Sequence, residues 1–461
     1  MCIRDRYLAL ARETFDVEFA ESKFSKAKSI LLSLSPNAIG FDKLVTNDED
    51  ADKALSFFKS HECEKIFLFQ TTFTDAKFLL NFAQSINKPL CIVSFPEPRT
   101  GGRLRLNSIC GLNLGMHSLI KNNITPEFVI IESDDSVNKS LFLNFINGSN
   151  DNQPLLWNKA TLSGNEVDFN YTIDKQTIGI IGTRPEGFDT CDYDSNEVTT
   201  KLNVSLVDLD LDDLFDEAKD VAAATITETK NTVSSYLQGT EELVQEEFDK
   251  SLSIYHGLEN LKDKHNLDAF AIRCWPETFT EYGCASCGPM AMMNEKKVSC
   301  ACEADVLGGI SCNILNQMND SPSLLVDIVD VDKSDNSLVF WHCGLAPISM
   351  AKEGTAKSGI HSNRKKPLLH DFSLKQGQIT IFRVSKARNK LQFFIMKGHV
   401  IDRPNSFSGT SGVISLGDDS PHKLEQMFKG GLEHHVAFTY GDISDKLIHF
   451  GKKMNIPTYT L

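Results

Sequence analysis

Short apolar runs rich in β-branched and aromatic residues recur through the first third of the chain, at residues 65–70 (KIFLFQ), 90–95 (LCIVSF) and 128–132 (FVIIE), with helical-period stretches such as residues 76–86 between them. That alternation predicts βαβ units and a parallel sheet. The polar residues 147–153 (NGSNDNQ) predict a linker, and residues 177–182 (TIGIIG) open a fresh strand with a Gly-containing turn behind it, so a second α/β domain starts near residue 170. It is expected to hold an acidic helix at 208–223, whose Asp and Glu form a solvated face, and a long helical stretch at 233–265. After Ser323 the texture changes to strands with glycines between them, at 323–330, 337–342, 378–385, 390–397 and 413–416. A mostly antiparallel sheet or barrel is predicted there, closed by a short helix at 444–454.

The length of 461 residues accommodates about three domains at roughly 150 residues each. The expected fold is α/β: two Rossmann-like α/β domains with parallel sheets, at 7–168 and 169–300, then a β-rich, antiparallel barrel-like C-terminal domain at 301–461 that carries the metal site. Hydrophobic residues are 41% and charged residues 24%, which excludes disorder and collagen-like repetition. The net charge of −15 would repel nucleic-acid phosphates and anionic membranes, so neither is an expected partner. No apolar run approaches the roughly 18 residues of a membrane span and no signal-peptide order opens the chain, which predicts a cytoplasmic protein. The twelve cysteines are then expected to be reduced thiols rather than a disulfide framework. Residues 1–6 (MCIRDR) resemble translated sequencing-adapter sequence; on that expectation the native chain begins upstream of Tyr7 and the opening of its first strand is missing.

Four groups could carry chemistry. Residues 298–310 (VSCACEADVLGGI) put Glu303 and Asp305 where a strand gives way to a small-residue helix, and strand ends are where α/β proteins build sites. Asp327, Asp330 and Asp332 interrupt an apolar strand (LLVDIVDVD), and a buried carboxylate needs a partner or a metal. Trp341-His342-Cys343-Gly344 ends one strand and Glu433-His434-His435 opens another. A carboxylate pair plus imidazole suits Mn²⁺ and similar cations, whereas singly each Asp reads as a structural hydrogen-bond acceptor and each His as a satisfied core residue.

In order along the chain, ACEADV, LLVDIVDVD, VFWHCG, FSGTSGV and GGLEHHVAFTYGD resemble the L-fucose and L-arabinose isomerase superfamily. ARETFDVEFAE, FPEPRTGGRLRLNSICG and IGTRPEGFDTCDYD resemble a fucose-isomerase-like subgroup, extending the likeness from Tyr7 to Leu461. The resemblance implies a Mn²⁺-dependent aldose–ketose isomerase that works through an enediolate. It implies metal ligands at Glu303, Asp327 and His435, with His342 matching an additional His of the arabinose branch, and both carboxylates serving as acid/base groups. It further implies a homo-oligomer, a hexamer, with each site completed by a neighbour; Arg12 resembles an Arg that reaches substrate across that interface. Arg103 and Arg105 alternate, so on a strand they would share one face toward a cleft or interface. Trp341, and Trp275 with Pro276, could wall a sugar ring face, and the resemblance implies that His434 adjoins substrate.

Two rivals stand beside this. Cys284, Cys287, Cys300 and Cys302 resemble a tetrathiolate metal pattern, and a non-enzymatic sugar-binding regulator could use the same domains. For the substrate, Arg99, Arg103, Arg105 and Arg184 could recruit an anionic sugar such as sulfoquinovose. The expectation is nevertheless a neutral aldose of the L-fucose, D-arabinose or L-arabinose type, because interfacial arginines also bind the chain's abundant Asp and Glu.

Overall fold

Alternation along KIFLFQ decides which helices cover which face of the first sheet. Phe67 and Phe69 pack with Phe24, Phe142 and Phe145 of the helices Val17–Leu34 and Asp135–Asn147. Ile66 and Leu68 point the other way, onto Phe58, Phe82 and Leu112 of the helices Asp48–Ser60, Lys77–Ile86 and Ser108–Lys121. The computed structural model describes residues 5–148, 155–163 and 175–461, and counts of elements refer to those. The five strands are parallel and run in the order Ile39–Val45, Asp5–Leu10, Lys65–Gln70, Leu90–Ser94, Glu127–Ile130. The first strand takes in Asp5 and Arg6, the last two residues of the adapter-like hexapeptide; the other four, most of the expected linker and the expected 168/169 boundary lie outside the described residues.

The second sheet is also parallel, in the order Ser299–Ala301, Ala269–Ile272, Gln176–Ile181, Val204–Leu209. Two helical expectations change here. Residues 208–209 finish a strand, and Asp210 starts the helix Leu211–Lys219 with a capping box closed by Asp213. The long stretch at 233–265 is two helices, Ala223–Tyr236 and Gln245–His265, because Gly239 turns the chain between them at φ +76°.

The C-terminal sheet is mixed, with ten strands, and six of them close on themselves. Around the ring run Ser323–Asp332, Ser337–His342, Thr410–Ser415, Gln392–Ile401, Gly377–Ser385 and His435–Tyr440, every neighbouring pair antiparallel. Closure leaves these strands no free edge. Leu324, Val326 and Ile328 share an apolar cluster with Phe340, Ile381, Phe394, Val436 and Phe438, and the period of two then places Leu325 and Asp327 on the opposite face of their strand. The expected closing helix is Ser444–Lys453.

One ion pair locks these parts together. Arg383, on a barrel strand, is completely buried and makes a two-pronged contact with Asp305: Nη1 donates to Oδ2 at 2.6 Å and Nη2 to Oδ1 at 2.9 Å. Nη2 also reaches the Thr190 carbonyl in the second domain at 3.3 Å. Asp305 caps the helix Val306–Met318 by accepting from the Gly308 N–H at 2.9 Å, and a Cβ at Gly308 would stand 2.5 Å from Asp305 Oδ2. Burial alone would raise the Asp305 pKa, but Arg383 and His435 outweigh it and hold the carboxyl well below the ordinary range.

Replacing Arg383 with Met should therefore destabilise the fold by about 3–5 kcal/mol at neutral pH, because it strands a buried carboxylate. Asp305 ionises more readily when folded, so its stabilisation is complete above roughly pH 4, its unfolded value, and fades in acid. Urea unfolding of both proteins from pH 8 downward checks this: the gap should be widest at neutral pH and narrow below about pH 4.

Candidate active site

At the end of the strand Ser299–Ala301 the backbone turns through two left-handed residues, Glu303 at φ +61° and Ala304 at φ +51°, before Asp305 caps the next helix. Side chains that are not Gly hold such angles only where the surroundings impose them, and such positions cluster at functional sites. The turn separates the two acids. Glu303 enters a pocket, while Asp305 faces Arg383 and His435.

Strand register supplies the rest. Asp327 lies opposite Trp341 on one neighbouring strand and opposite His435 on the other, so residues far apart in sequence share one patch of the barrel wall. His435 Nδ1–H donates to Asp305 Oδ2 at 2.9 Å, leaving Nε2 3.4 Å from Asp327 Oδ1 and 3.8 Å from Glu303 Oε2. His434 stands beside it, its Nε2–H donating to Glu303 Oε2 at 3.1 Å and lying 3.9 Å from Asp327 Oδ1. Trp275 Nε1–H donates to the other Glu303 oxygen at 3.2 Å. Cys110 comes near Asp327 and His434, and Cys191 near Glu303 and His435, so all three parts of the chain meet at this point.

The two carboxyls titrate differently. Burial pushes Glu303 up, but the hydrogen bond and charge of His434, with His435 and Trp275, bring it below its ordinary value. Burial raises Asp327 to about 7, and the Glu303 charge adds to that against the opposing pull of His435. Asp327 Oδ1 and His342 Nε2 are buried with no hydrogen-bond partner among the described residues. A hard cation would satisfy this cluster of carboxylate oxygens and imidazole nitrogens, and the residues able to hold one are Glu303, Asp327 and His435. His342 stacks on His435 with ring centres 5.9 Å apart, and unlike the neighbouring histidines it makes no ion-pair contact with either carboxylate.

Other expected residues divide. Arg12 lines the pocket of its own chain and is paired with Asp75 at 2.7 Å. Trp341 lines it too, its Nε1–H held by the Ser408 carbonyl at 2.9 Å. Arg103 and Arg105 do not line it, nor do they share a strand face, because residues 103–107 form an extended loop without a strand partner. The Glu97 carboxylate organises that loop, accepting from the N–H groups of Arg105, Leu106 and Asn107. Arg103 bonds Asn363 and the Thr14 carbonyl, and Arg105 bonds Asp16 at 2.8 Å. Arg99 is spent on Asp330, while Arg184 sits near Asp189 and Asp192 in a separate cleft.

The tetrathiolate does not assemble. Cys302 sits against Cys274 with sulfurs 2.7 Å apart and Cys287 against Cys343 at 3.3 Å, while Cys284 and Cys300 lie elsewhere, because the first pair heads a helix and the second rides a strand. Burial drives Cys284 up to about 12 and Cys302 is raised too, first by its hydrogen bond with Cys274 and then by burial, so both remain thiols. The sequence reading did not single out His361, Asn363 and Arg364, which also line the pocket. Their one sequence signal is a basic cluster, Arg364-Lys365-Lys366, in an acidic chain.

Residues 7–145 match the family model described as fucose/sulfoquinovose isomerase, N-terminal domain, and residues 370–460 match L-fucose isomerase, C-terminal domain. A protein of Priestia aryabhattai named sulfoquinovose isomerase is 31% identical over 459 residues, covering 98% of each chain. Proteins of the same name from Alkalicoccus urumqiensis and Clostridium sp. (strain MSTE9) are 30% and 27% identical over 462 and 450 residues, covering 98% and 96% of this chain and 98% and 95% of their own.

Because Asp327 binds its proton more tightly when folded, the stability of metal-free protein should fall as the pH rises from about 4 to about 7. Chelated wild type and Asp327→Asn, unfolded in urea across that range, check it: the slope should flatten in the variant.

Proposed function

This chain belongs to the fucose/sulfoquinovose isomerase family and is an aldose–ketose isomerase, and from that premise we propose that it converts sulfoquinovose to the corresponding 2-ketose with the aid of a divalent cation of the Mn²⁺ type. The observation that carries the reading is the meeting of Glu303, Asp327 and His435 at the base of one pocket, in a chain matched nearly end to end by relatives of that name. The neutral-aldose expectation gives way to the anionic alternative on the names of those relatives. L-fucose remains the comparison substrate, since the C-terminal match is to an L-fucose isomerase model.

Moving a carbonyl from C1 to C2 requires removal of the weakly acidic C2 proton and its return at C1, through an enediolate with charge on both oxygens. A cation held by Glu303, Asp327 and His435 supplies Lewis-acid stabilisation of that charge. Glu303, whose oxygens accept from His434 and Trp275, and Asp327 are the two carboxyl groups placed to move a proton between C2 and C1. Asp305 holds His435 in the tautomer that keeps Nε2 facing both carboxylates. Trp341 and Trp275 supply apolar wall to the pocket.

We propose in addition a homo-oligomer, a hexamer as the family resemblance implies, working in the cytoplasm. Among the described residues, no helix is long and apolar enough to cross a membrane.

Ketose formation from sulfoquinovose, L-fucose, D-arabinose and L-arabinose tests the substrate: kcat/KM should be highest for sulfoquinovose, chelation should abolish turnover, and Mn²⁺ should restore it. A preference for L-fucose would return the neutral reading. Glu303→Gln and Asp327→Asn should each lower kcat by about 10²-fold to 10⁴-fold while circular dichroism stays native; near wild-type turnover in either would make that residue structural.

A further inference from the structure

This inference rests on the proposed sulfonated substrate and identifies the group that reads its charge. Arg99 and Arg105 spend their guanidinium groups on protein partners outside the pocket, Arg103 spends its own on Asn363 and the Thr14 carbonyl of the pocket wall, and Arg12, inside the pocket, is paired with Asp75. Arg364 differs. Half-buried in the pocket wall, its guanidinium has, among the described residues, no carboxylate at ion-pair distance and no hydrogen bond. Its contacts are aromatic: Cζ lies 4.9 Å from the Trp275 ring centre and 5.4 Å from that of Phe279. The Arg12 guanidinium borders the same Trp275 ring at 5.8 Å, so two positive charges are held near each other with a carboxylate on only one of them. Partial burial of an unpaired cation is unfavourable unless an anion arrives to pair with it.

The surrounding loop fixes Arg364 before any ligand binds. His361 Nδ1 accepts from the backbone N–H groups of Asn363 and Arg364, both at 3.3 Å, and the His361 and Lys366 backbones close the turn at 2.9 Å. Asn363 is braced from the first domain by Arg103, and Lys366 pairs with Glu247. Trp275 connects this loop to the chemistry, because its Nε1–H bonds Glu303 while its ring carries Arg364. A substrate lying along that indole would present C1 and C2 to the carboxylates and its far end to the guanidinium.

We propose that Arg364 is the specificity-determining residue of this enzyme, pairing through its planar fork with the C6 sulfonate of the sugar.

The test compares kcat/KM for sulfoquinovose with that for 6-deoxyglucose, the same sugar without the sulfonate, in wild type, Arg364→Met and Arg364→Lys, with thermal unfolding of each protein. Wild type should favour the sulfonate, Arg364→Met should lower the ratio by about 10²-fold or more, mainly through KM, and Arg364→Lys should recover part of it. A wild-type preference that survives in Arg364→Met, or an equal loss on both sugars, overturns the role of Arg364 and leaves the substrate standing. A wild-type enzyme indifferent to the sulfonate overturns substrate and Arg364 together.

Discussion

The buried pair of Arg383 and Asp305 is the constraint on which the rest depends. Arg383 belongs to the barrel, Asp305 begins the helix that leaves the second sheet, and the Thr190 carbonyl completes the contact. A fully desolvated guanidinium and carboxylate tolerate little displacement, since each is very costly without the other. The pair therefore fixes the barrel against the second sheet at the place where Glu303 emerges. Through the second lone pair of Asp305 Oδ2 it also sets the orientation of His435. Gly308 is part of the same arrangement, since any larger residue would push its Cβ into Asp305.

Desolvation then gives the site its reactivity. Glu303 and Asp327 are buried in the same pocket, yet His434 and Trp275 compensate only the first. Two carboxyl groups of similar intrinsic acidity are thereby driven apart, Glu303 below its ordinary value and Asp327 above it. Among the described residues Asp327 Oδ1 has no hydrogen bond of its own, and a cation would satisfy it.

Positive charge is rationed in a similar way. In a chain with 62 acidic and 47 basic residues, most arginines near the pocket are neutralised by neighbours and serve as struts. Arg105 on Asp16 and Arg99 on Asp330 tie the loop after the strand Leu90–Ser94 to its surroundings. Arg364 keeps aromatic company instead of acidic company, which leaves its fork available.

By itself the sequence determined the class of fold and the elements of the site. Period-two and helical-period patterns mark the two parallel sheets and the barrel strands, because burial of alternating side chains is a local property of each segment. Asp327 stood out locally as an acid inside an apolar strand, whereas the roles of Glu303, His434 and His435 came from the resemblance of ACEADV and GGLEHHVAFTYGD to a known family. Tertiary structure alone decided which polar residues face one another. No spacing rule distinguishes Asp305, turned onto Arg383, from Glu303, turned into the pocket, since two left-handed residues make that difference. Nor could the chain order show that Arg103 and Arg105 would be consumed by Asn363 and Asp16, that the four spaced cysteines would lie apart, or that Arg364 would remain unpaired. Those outcomes depend on competition among charges brought together from three distant parts of the chain, and that competition exists only once those parts have packed.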